Sequence, residues 1–443
     1  MCKLIEAAGA DSLHIRIGPC GQHVAEFAGD LYFCGTGIEG TTGYGTQFDF
    51  TRHWQGMLKA DQSGLGIMVP VAAEIKKAVS IPVGAVTYMD PARDPEFFES
   101  LIASGELDFI LMNRPLSVDY DYLHKLEEGR IDEIRPCTRC MHCHWDAADD
   151  GNLTFSCRTN AAHPFRFVTG QLTGSYDPEP AATAKNVVVV GAGPAGLEAA
   201  RVAAERGHSV TLYEKKGSVG GLLEFANNVK GPHENLSVLR SYFERQMEVL
   251  GVNVMLNTEA TADIIAEASP DIVIAATGGV RDTLGLSDTA GTKVVGIDDF
   301  MMADIAEEVV IVGSNVQAID AAMYLLAQGK HVQVVTPNAA SAIGAGHSFW
   351  VKTFTQPNMK ALGVRFWPEA TVTAVNDGSV TVKTATGIEQ EIACGTVVEA
   401  LDCLPNDNLS TGLSCEVVTV GDAARPFNIG EAICSGNAAA RAI

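Results

Sequence analysis

Two periodicities take turns along this chain. Apolar residues three and four apart, as one face of a helix requires, mark MCKLIEAAGA (1–10), VAAEIKKAVS (71–80), DPEFFESLIASG (94–105) and YDYLHKLEEG (120–129). Between them lie short, nearly continuous apolar runs: SLHIRIG (12–18), IPVGAVTY (81–88) and DFILMN (108–113). Such runs mark strands buried on both faces. The alternation predicts a parallel sheet over residues 1–130. Three strands neither close a barrel nor cover their own edges. The segment therefore reads as the last part of a larger α/β barrel, strands about six to eight, whose earlier strands are absent. A small open sheet completed by a partner chain or a second copy is the alternative. The Gly-rich stretch AGDLYFCGTGIEGTTGYGTQFDF (28–50) is too long for an ordinary connection and is expected to be a lid or binding loop.

The pattern then changes. Residues 131–167 hold a cluster of cysteines, and 168–186 (VTGQLTGSYDPEPAATAKN) are rich in Gly, Pro, Ser and Thr, the composition of a linker. A strand–glycine–helix–strand unit follows at NVVVVGAGPAGLEAARVAAERGHSVTLYEKK (186–216) and recurs at EVVIVGSNVQAIDAAMYLLAQGKHVQVVTP (308–337). The expected layout is one nucleotide-binding domain in two pieces, 187–280 and 395–443, with a related domain, 281–394, inserted between them.

Composition narrows the class. Across 443 residues the chain is 47% hydrophobic and 19% charged, the balance of a folded protein of several domains. Its net charge of −23 argues against nucleic acid or an anionic membrane surface as a partner. No apolar run is long enough to span a bilayer, and MCKLIEAAGA lacks the basic and apolar regions of a signal peptide, so a cytoplasmic location is expected. In a reducing compartment eleven cysteines are not expected to pair as disulfides. Seven (Cys2, Cys20, Cys34, Cys394, Cys403, Cys415, Cys434) are scattered and read as small hydrophobes.

The chemistry starts at the first glycine turn. Gly191, Gly193 and Gly196 spell G-x-G-x-x-G directly between a strand and a helix. That order gives a tight turn, room for a pyrophosphate, close helix–strand packing and a helix N-terminus facing the phosphate. Glu214 ends the next strand about 20 residues on, where an acid bonds a ribose hydroxyl. In the second unit Gly313 keeps the first glycine, but Asn315 replaces the second and Ala318 the third. Its next strand ends Val335-Thr336-Pro337, with neither an acid for a ribose nor an Arg cluster for a 2′-phosphate. A side chain at position 315 is expected to crowd a pyrophosphate, so NAD(P)H binding there competes with a purely architectural role.

Four cysteines are clustered: Cys137, Cys140 and Cys143 in C-x2-C-x2-C spacing, with Cys157 thirteen residues further on. Clustered thiols in a reducing compartment point to metal. Three close cysteines and one distant suit an iron–sulfur cluster; a zinc site, with or without His142 or His144, is the alternative.

A family resemblance joins these parts. The run RPLSVDYDYLHKLEEGRIDEIRPCTRCMHC (114–143), the four cysteines and GAGPAGLEAA (191–200) resemble the NADH:flavin oxidoreductases, the group of 2,4-dienoyl-CoA reductase, the enoate reductases and trimethylamine dehydrogenase. The resemblance implies the end of a TIM-type barrel, a 4Fe–4S segment and a two-dinucleotide-binding flavoprotein module. In that module Gly220–Gly221, the ATGG of 276–279 and Gly421-Asp422 match FAD-binding positions, with Asp422 on the ribityl chain. It further implies a relay in which NAD(P)H reduces FAD, the cluster passes single electrons to FMN, and FMN reduces an activated C=C bond of a small-molecule substrate. Arg114 matches the family's FMN-phosphate arginine, although Asn113 and Thr87-Tyr88 depart from the glycines and arginine usual around that site. His23 falls near the loop that carries a catalytic histidine. The cysteine spacing is nearest to the amine dehydrogenase side, which implies as alternatives an amine dehydrogenase-like enzyme serving an electron-transfer flavoprotein, or a split FAD/Fe–S electron-transfer subunit.

Overall fold

The computed structural model describes residues 1–16, 65–66, 68–86, 89–140, 142–144, 146–147, 153–154, 156–163, 174–230, 234–348, 351–352, 356–357, 359–360, 362–406, 408–410 and 413–443. The first unit alternates as its sequence predicts: α1 (Cys2–Ala7), β1 (Leu13–Ile15), α2 (Val69–Lys76), β2 (Val83–Ala85), α3 (Pro95–Ala103) and β3 (Phe109–Ile110). The strands lie parallel in the order β1-β2-β3, with Leu13 opposite Val83 and Gly84 opposite Phe109. Asp94 starts α3 by accepting from the Phe97 N–H at 2.9 Å, ahead of Pro95, whose missing donor costs nothing at a helix start. Two short helices, α4 (Arg114–Val118) and α5 (Tyr122–Glu127), follow, of which the periodicity shows only the second.

The cysteine segment carries a two-stranded hairpin, β4 (Asp146–Ala147) with β5 (Leu153–Thr154). The linker beyond it is fastened to the C-terminus, where the Arg441 guanidinium donates to the carbonyls of Ser175 and Tyr176.

Next come β6 (Asn186–Val190), α6 (Pro194–Glu205), β7 (Ser209–Tyr213), α7 (Leu223–Lys230), α8 (Leu236–Val249), β8 (Asn253–Met255), α9 (Ala262–Ala268), β9 (Ile272–Ala275) and β10 (Val280–Arg281). The inserted unit then runs β11 (Lys293–Gly296), β12 (Glu308–Val312), α10 (Val316–Ala327), β13 (His331–Val335), β14 (Arg365–Trp367), β15 (Ala370–Asn376), β16 (Ser379–Thr384), β17 (Glu389–Ala393) and β18 (Thr396–Glu399). The chain returns through β19 (Cys403–Leu404) to β20 (Glu416–Thr419) and α11 (Ile429–Ala442).

Two five-stranded parallel sheets result, ordered β20-β9-β6-β7-β8 and β11-β18-β12-β13-β14. Their central strands, VVVV of β6 and VVIV of β12, are buried throughout, which is why both read as unbroken apolar runs. In each sheet the chain leaves the central strand to one side and later returns on the other, and ligand crevices form at such reversals. A three-stranded antiparallel sheet, β15-β16-β17, packs beside the second. One expected boundary shifts. Residues 396–399 were assigned by sequence to the first domain, but β18 pairs with β11 and β12 and so belongs to the inserted one. The return crossing falls at β19, which pairs antiparallel with β10. No helix among the described residues is long and apolar enough to cross a membrane.

Candidate functional site

The three glycines of the first turn do different work. Gly191 has φ +100°, and a Cβ there would stand 2.3 Å from the Ala276 carbonyl oxygen. A Cβ on Gly196 would stand 1.9 Å from the Gly191 carbonyl oxygen. Both are therefore needed for packing. Gly193 caps α6 in extended conformation, and nothing lies within 4 Å of where its Cβ would be, so its missing side chain leaves open space at the helix N-terminus. A phosphate fits there on both charge and shape.

Glu214, at the end of β7, accepts from the Ala192 N–H and the Lys216 N–H, each at 2.8 Å, and so pins the turn that it faces. The Gly220 N–H donates to the Ala192 carbonyl at 2.8 Å, and a Cβ on Gly221 would lie 3.1 Å from the Gly193 Cα. Asp422 follows β20; burial pushes its carboxyl up, and its Oδ1 accepts from the Phe427 N–H at 3.2 Å. Beyond it Asn428 caps α11 by accepting from the Glu431 N–H at 2.9 Å. α11 lies tight on α6, since a Cβ on Gly436 would be 2.1 Å from the Ala195 carbonyl oxygen. Gly191, Gly193, Glu214, Gly221 and Asp422 thus line one cleft of ≈ 1120 Å³.

The second glycine turn opens onto the same cleft through Ser314, Asn315 and Val316. Gly313 is again a packing glycine, with a Cβ position 2.0 Å from the Ala400 carbonyl oxygen. Asn315 lines the cleft and its side chain is held by three bonds. Its Oδ1 accepts from the Ala318 N–H at 2.9 Å as an N-cap, and its Nδ2 donates to the Ala400 carbonyl and Asp402 Oδ1, both at 3.0 Å. The amide is spent on the helix cap and on the strand end opposite. Beyond β13 the buried Thr336 hydroxyl donates to Ser314 Oγ at 3.0 Å, and Asn338 Nδ2 to the same oxygen at 3.1 Å.

Cys137, Cys140, Cys143 and Cys157 gather in the segment between β3 and β6, and none forms a disulfide. Cys137 and Cys157 pack together against Val118. Burial pushes the Cys137 thiol up to about 11, with the neighbouring Cys140 and Cys157 adding to it and Arg114 opposing. Burial raises Cys143 and Cys157 too. It acts the same way on Cys140, but the Arg158 guanidinium and His142 outweigh it and hold that thiol below its ordinary value. Cys137, Cys143 and Cys157 each feel Cys140, so the four thiols lie close together. Thiols buried together suit a cationic guest, whose charge favours the thiolates. Among the described residues no three Cys, His, Asp or Glu side chains converge as a single ion requires. Arg114, at the start of α4, is buried and close enough to lower Cys137 and Cys143.

Cys140, His142 and Arg158 also line the cleft. From there a chain of buried charges crosses it. Arg158 pairs with Glu234, Glu234 with Lys230 at 3.1 Å, Lys230 with Asp320 on α10 at 3.0 Å, and Asp320 Oδ1 with His347 Nε2 at 3.2 Å. Sequence reading singles out none of these five, because no local spacing links them. His23 and Thr87-Tyr88 lie outside the described residues.

Comparison with known proteins agrees with this layout. Residues 185–422 match the family described as pyridine nucleotide-disulphide oxidoreductase. NADH oxidase of Thermoanaerobacter brockii is 36% identical over 285 residues, 63% of this chain and 42% of that protein. Cinnamate reductase of Clostridium sporogenes is 34% identical over 272 residues, 61% of this chain and 39% of that protein. The structure of a 2-naphthoyl-CoA reductase–2-naphthoyl-CoA complex superimposes with a TM-score of 0.73 at 30% identity, covering 86% of this chain and 57% of that one. The matched part is about two fifths of each curated relative's length.

Proposed function

Because this chain belongs to the pyridine nucleotide-disulphide oxidoreductase family, we propose that it is a flavin and iron–sulfur oxidoreductase that takes hydride from NAD(P)H and delivers single electrons toward an activated C=C bond. The observation that carries this reading is the single cleft that runs from the first glycine turn to Cys140. FAD would be held by Gly193 at the α6 N-terminus, by Glu214 and by Asp422. A 4Fe–4S cluster would be held by Cys137, Cys140, Cys143 and Cys157. FMN would lie on the barrel side of the thiols, with Arg114 as its phosphate partner. Flavins exchange electrons singly or in pairs, so a one-electron cluster between two of them supplies the change of step. The second glycine turn opens onto the same cleft, which supports NAD(P)H there. The relatives named cinnamate reductase and 2-naphthoyl-CoA reductase support an enoate or dienoyl-type substrate.

Thr336 and Asn338 stand where an NAD-binding turn usually ends in an acid. That favours, as the second reading, an amine dehydrogenase-like enzyme that hands electrons to an electron-transfer flavoprotein.

A cofactor census on the purified chain tests both readings: iron, acid-labile sulfide, zinc, FAD and FMN, followed by anaerobic addition of NADH, NADPH or a methylated amine. Four iron with FAD, and bleaching by a nicotinamide cofactor, is expected. Iron and FAD without FMN means an electron-input unit that takes its FMN site from a partner chain. Bleaching by the amine alone selects the second reading, and zinc without iron overturns both.

A further inference from the structure

A hydride is two electrons and one proton. In the relay proposed above it arrives whole and its electrons leave singly through the thiols, so every hydride leaves one proton behind in the cleft. Something there must take it. Asp320 and His347 face each other in that cleft: His347 Nε2 lies 3.2 Å from Asp320 Oδ1, and both side chains are buried and line it. The loop of His347 is tied to the site's flavin end, because Asn428, the cap of α11 just beyond Asp422, donates from Nδ2 to the Gly346 carbonyl at 3.0 Å.

We propose that Asp320 and His347 together accept the proton that the flavin sheds as its electrons pass to the cluster, an inference that rests on the relay reading. The flavin N5–H bond breaks and an O–H or N–H bond forms on the pair. A bound flavin would be oxidised as it gives up that proton, with a bound cluster as the acceptor of each electron. The surrounding charges allow this. Arg158 and Lys230 share Glu234, which leaves one positive charge to balance an ionised Asp320. The pair can then pass between its neutral and singly charged forms beside that charge. Burial raises the Asp320 carboxyl, and burial lowers the His347 imidazole, as do Lys230, His142 and Arg158, with Glu234 opposing. Acid and base are thereby drawn toward each other, the condition under which one proton passes easily between two groups.

The test is a single turnover of the holoprotein with one equivalent of NADH, followed anaerobically by stopped flow over a pH series. The first phase is flavin bleaching; the second is flavin recovery as the cluster is reduced. Asp320→Asn and His347→Gln are expected to slow the second phase at least tenfold and to flatten its pH dependence, with the slowing confined to that phase. Independently of turnover, the reduced-minus-oxidised infrared difference spectrum of the wild-type protein should contain a carboxyl or imidazole signal that Asp320→Asn removes. If Asp320→Asn does not fold, His347→Gln and the wild-type spectrum decide. An unchanged second phase in His347→Gln, or a difference spectrum with no such signal, overturns the proposal while FAD and iron remain in place. Protein that purifies without FAD or iron overturns the relay, and the proposal with it.

Discussion

Gly196 rests on the carbonyl of Gly191: a single added methyl would sit 1.9 Å from that oxygen. Five residues apart, they make the turn and the helix start one rigid piece, and that separates two kinds of mutation. Gly196→Ala should cost stability, about 2 kcal/mol or more as for other overpacked sites, read as a lower Tm of the apoprotein. Gly193→Val projects into open space, so the apoprotein should keep its Tm and lose FAD. Stoichiometric FAD in that variant would refute the phosphate site.

Asn315 should matter to the inserted domain as a cap. Asn315→Ala removes the bonds to Ala318, Ala400 and Asp402, and a lost N-cap costs about 1 kcal/mol. Denaturant unfolding followed at Trp367, on β14 of that domain, should shift to lower midpoint. Asn315→Ser, which keeps a capping oxygen without the amide donor, should recover part of the loss.

Iron should depend on position and not on thiol number. Cys140→Ala is expected to lose most of the iron and acid-labile sulfide. Cys394→Ala removes a buried thiol that donates to the Thr396 carbonyl at 3.1 Å, and it should keep the full complement. Equal iron in the two variants would mean that the ligand assignment is wrong.

Acid should loosen the joint between the cysteine segment and α6. Glu198 is fully buried among Arg135, Arg201 and Asn437. Burial alone would raise its carboxyl, but Arg135 and Arg201 outweigh it and hold it down to about 2. Its folded value lies below the unfolded one, so its stabilisation is complete above about pH 4.5 and fades as pH falls toward 2. The shift corresponds to on the order of 3 kcal/mol. Tm measured from pH 7 to 3 should fall less steeply in Glu198→Gln than in wild type, from a lower starting point.

What the sequence shows and what it hides follow from distance along the chain. The glycine turns are legible because β6 and β12 are apolar runs buried on both faces and each ends at a glycine that local packing demands. The cysteines are legible for the same local reason. By contrast, Arg158 meets Glu234 from 76 positions away and Lys230 meets Asp320 from 90, so no window contains the network. The inserted domain's end is not legible, because TVVE of β18 suits either parallel sheet equally, and only its pairing with β11 and β12 decides. The Asn315 cap is hidden for another reason: residue type shows a side chain's size but not its direction.

The two crossings β10 and β19 lie side by side, Arg281 opposite Cys403 and Val280 opposite Leu404. The inserted domain therefore enters and leaves through one doorway. A tight turn joining residue 281 to residue 403 would close that doorway and leave the first parallel sheet with all five of its strands in order. Folding of the flavin half then has no need to wait for the inserted half. What such an excision strips away is one wall of the cleft: the cap of α10, the carboxylate facing Lys230, and the apolar bed on which Phe225 and Val229 of α7 lie.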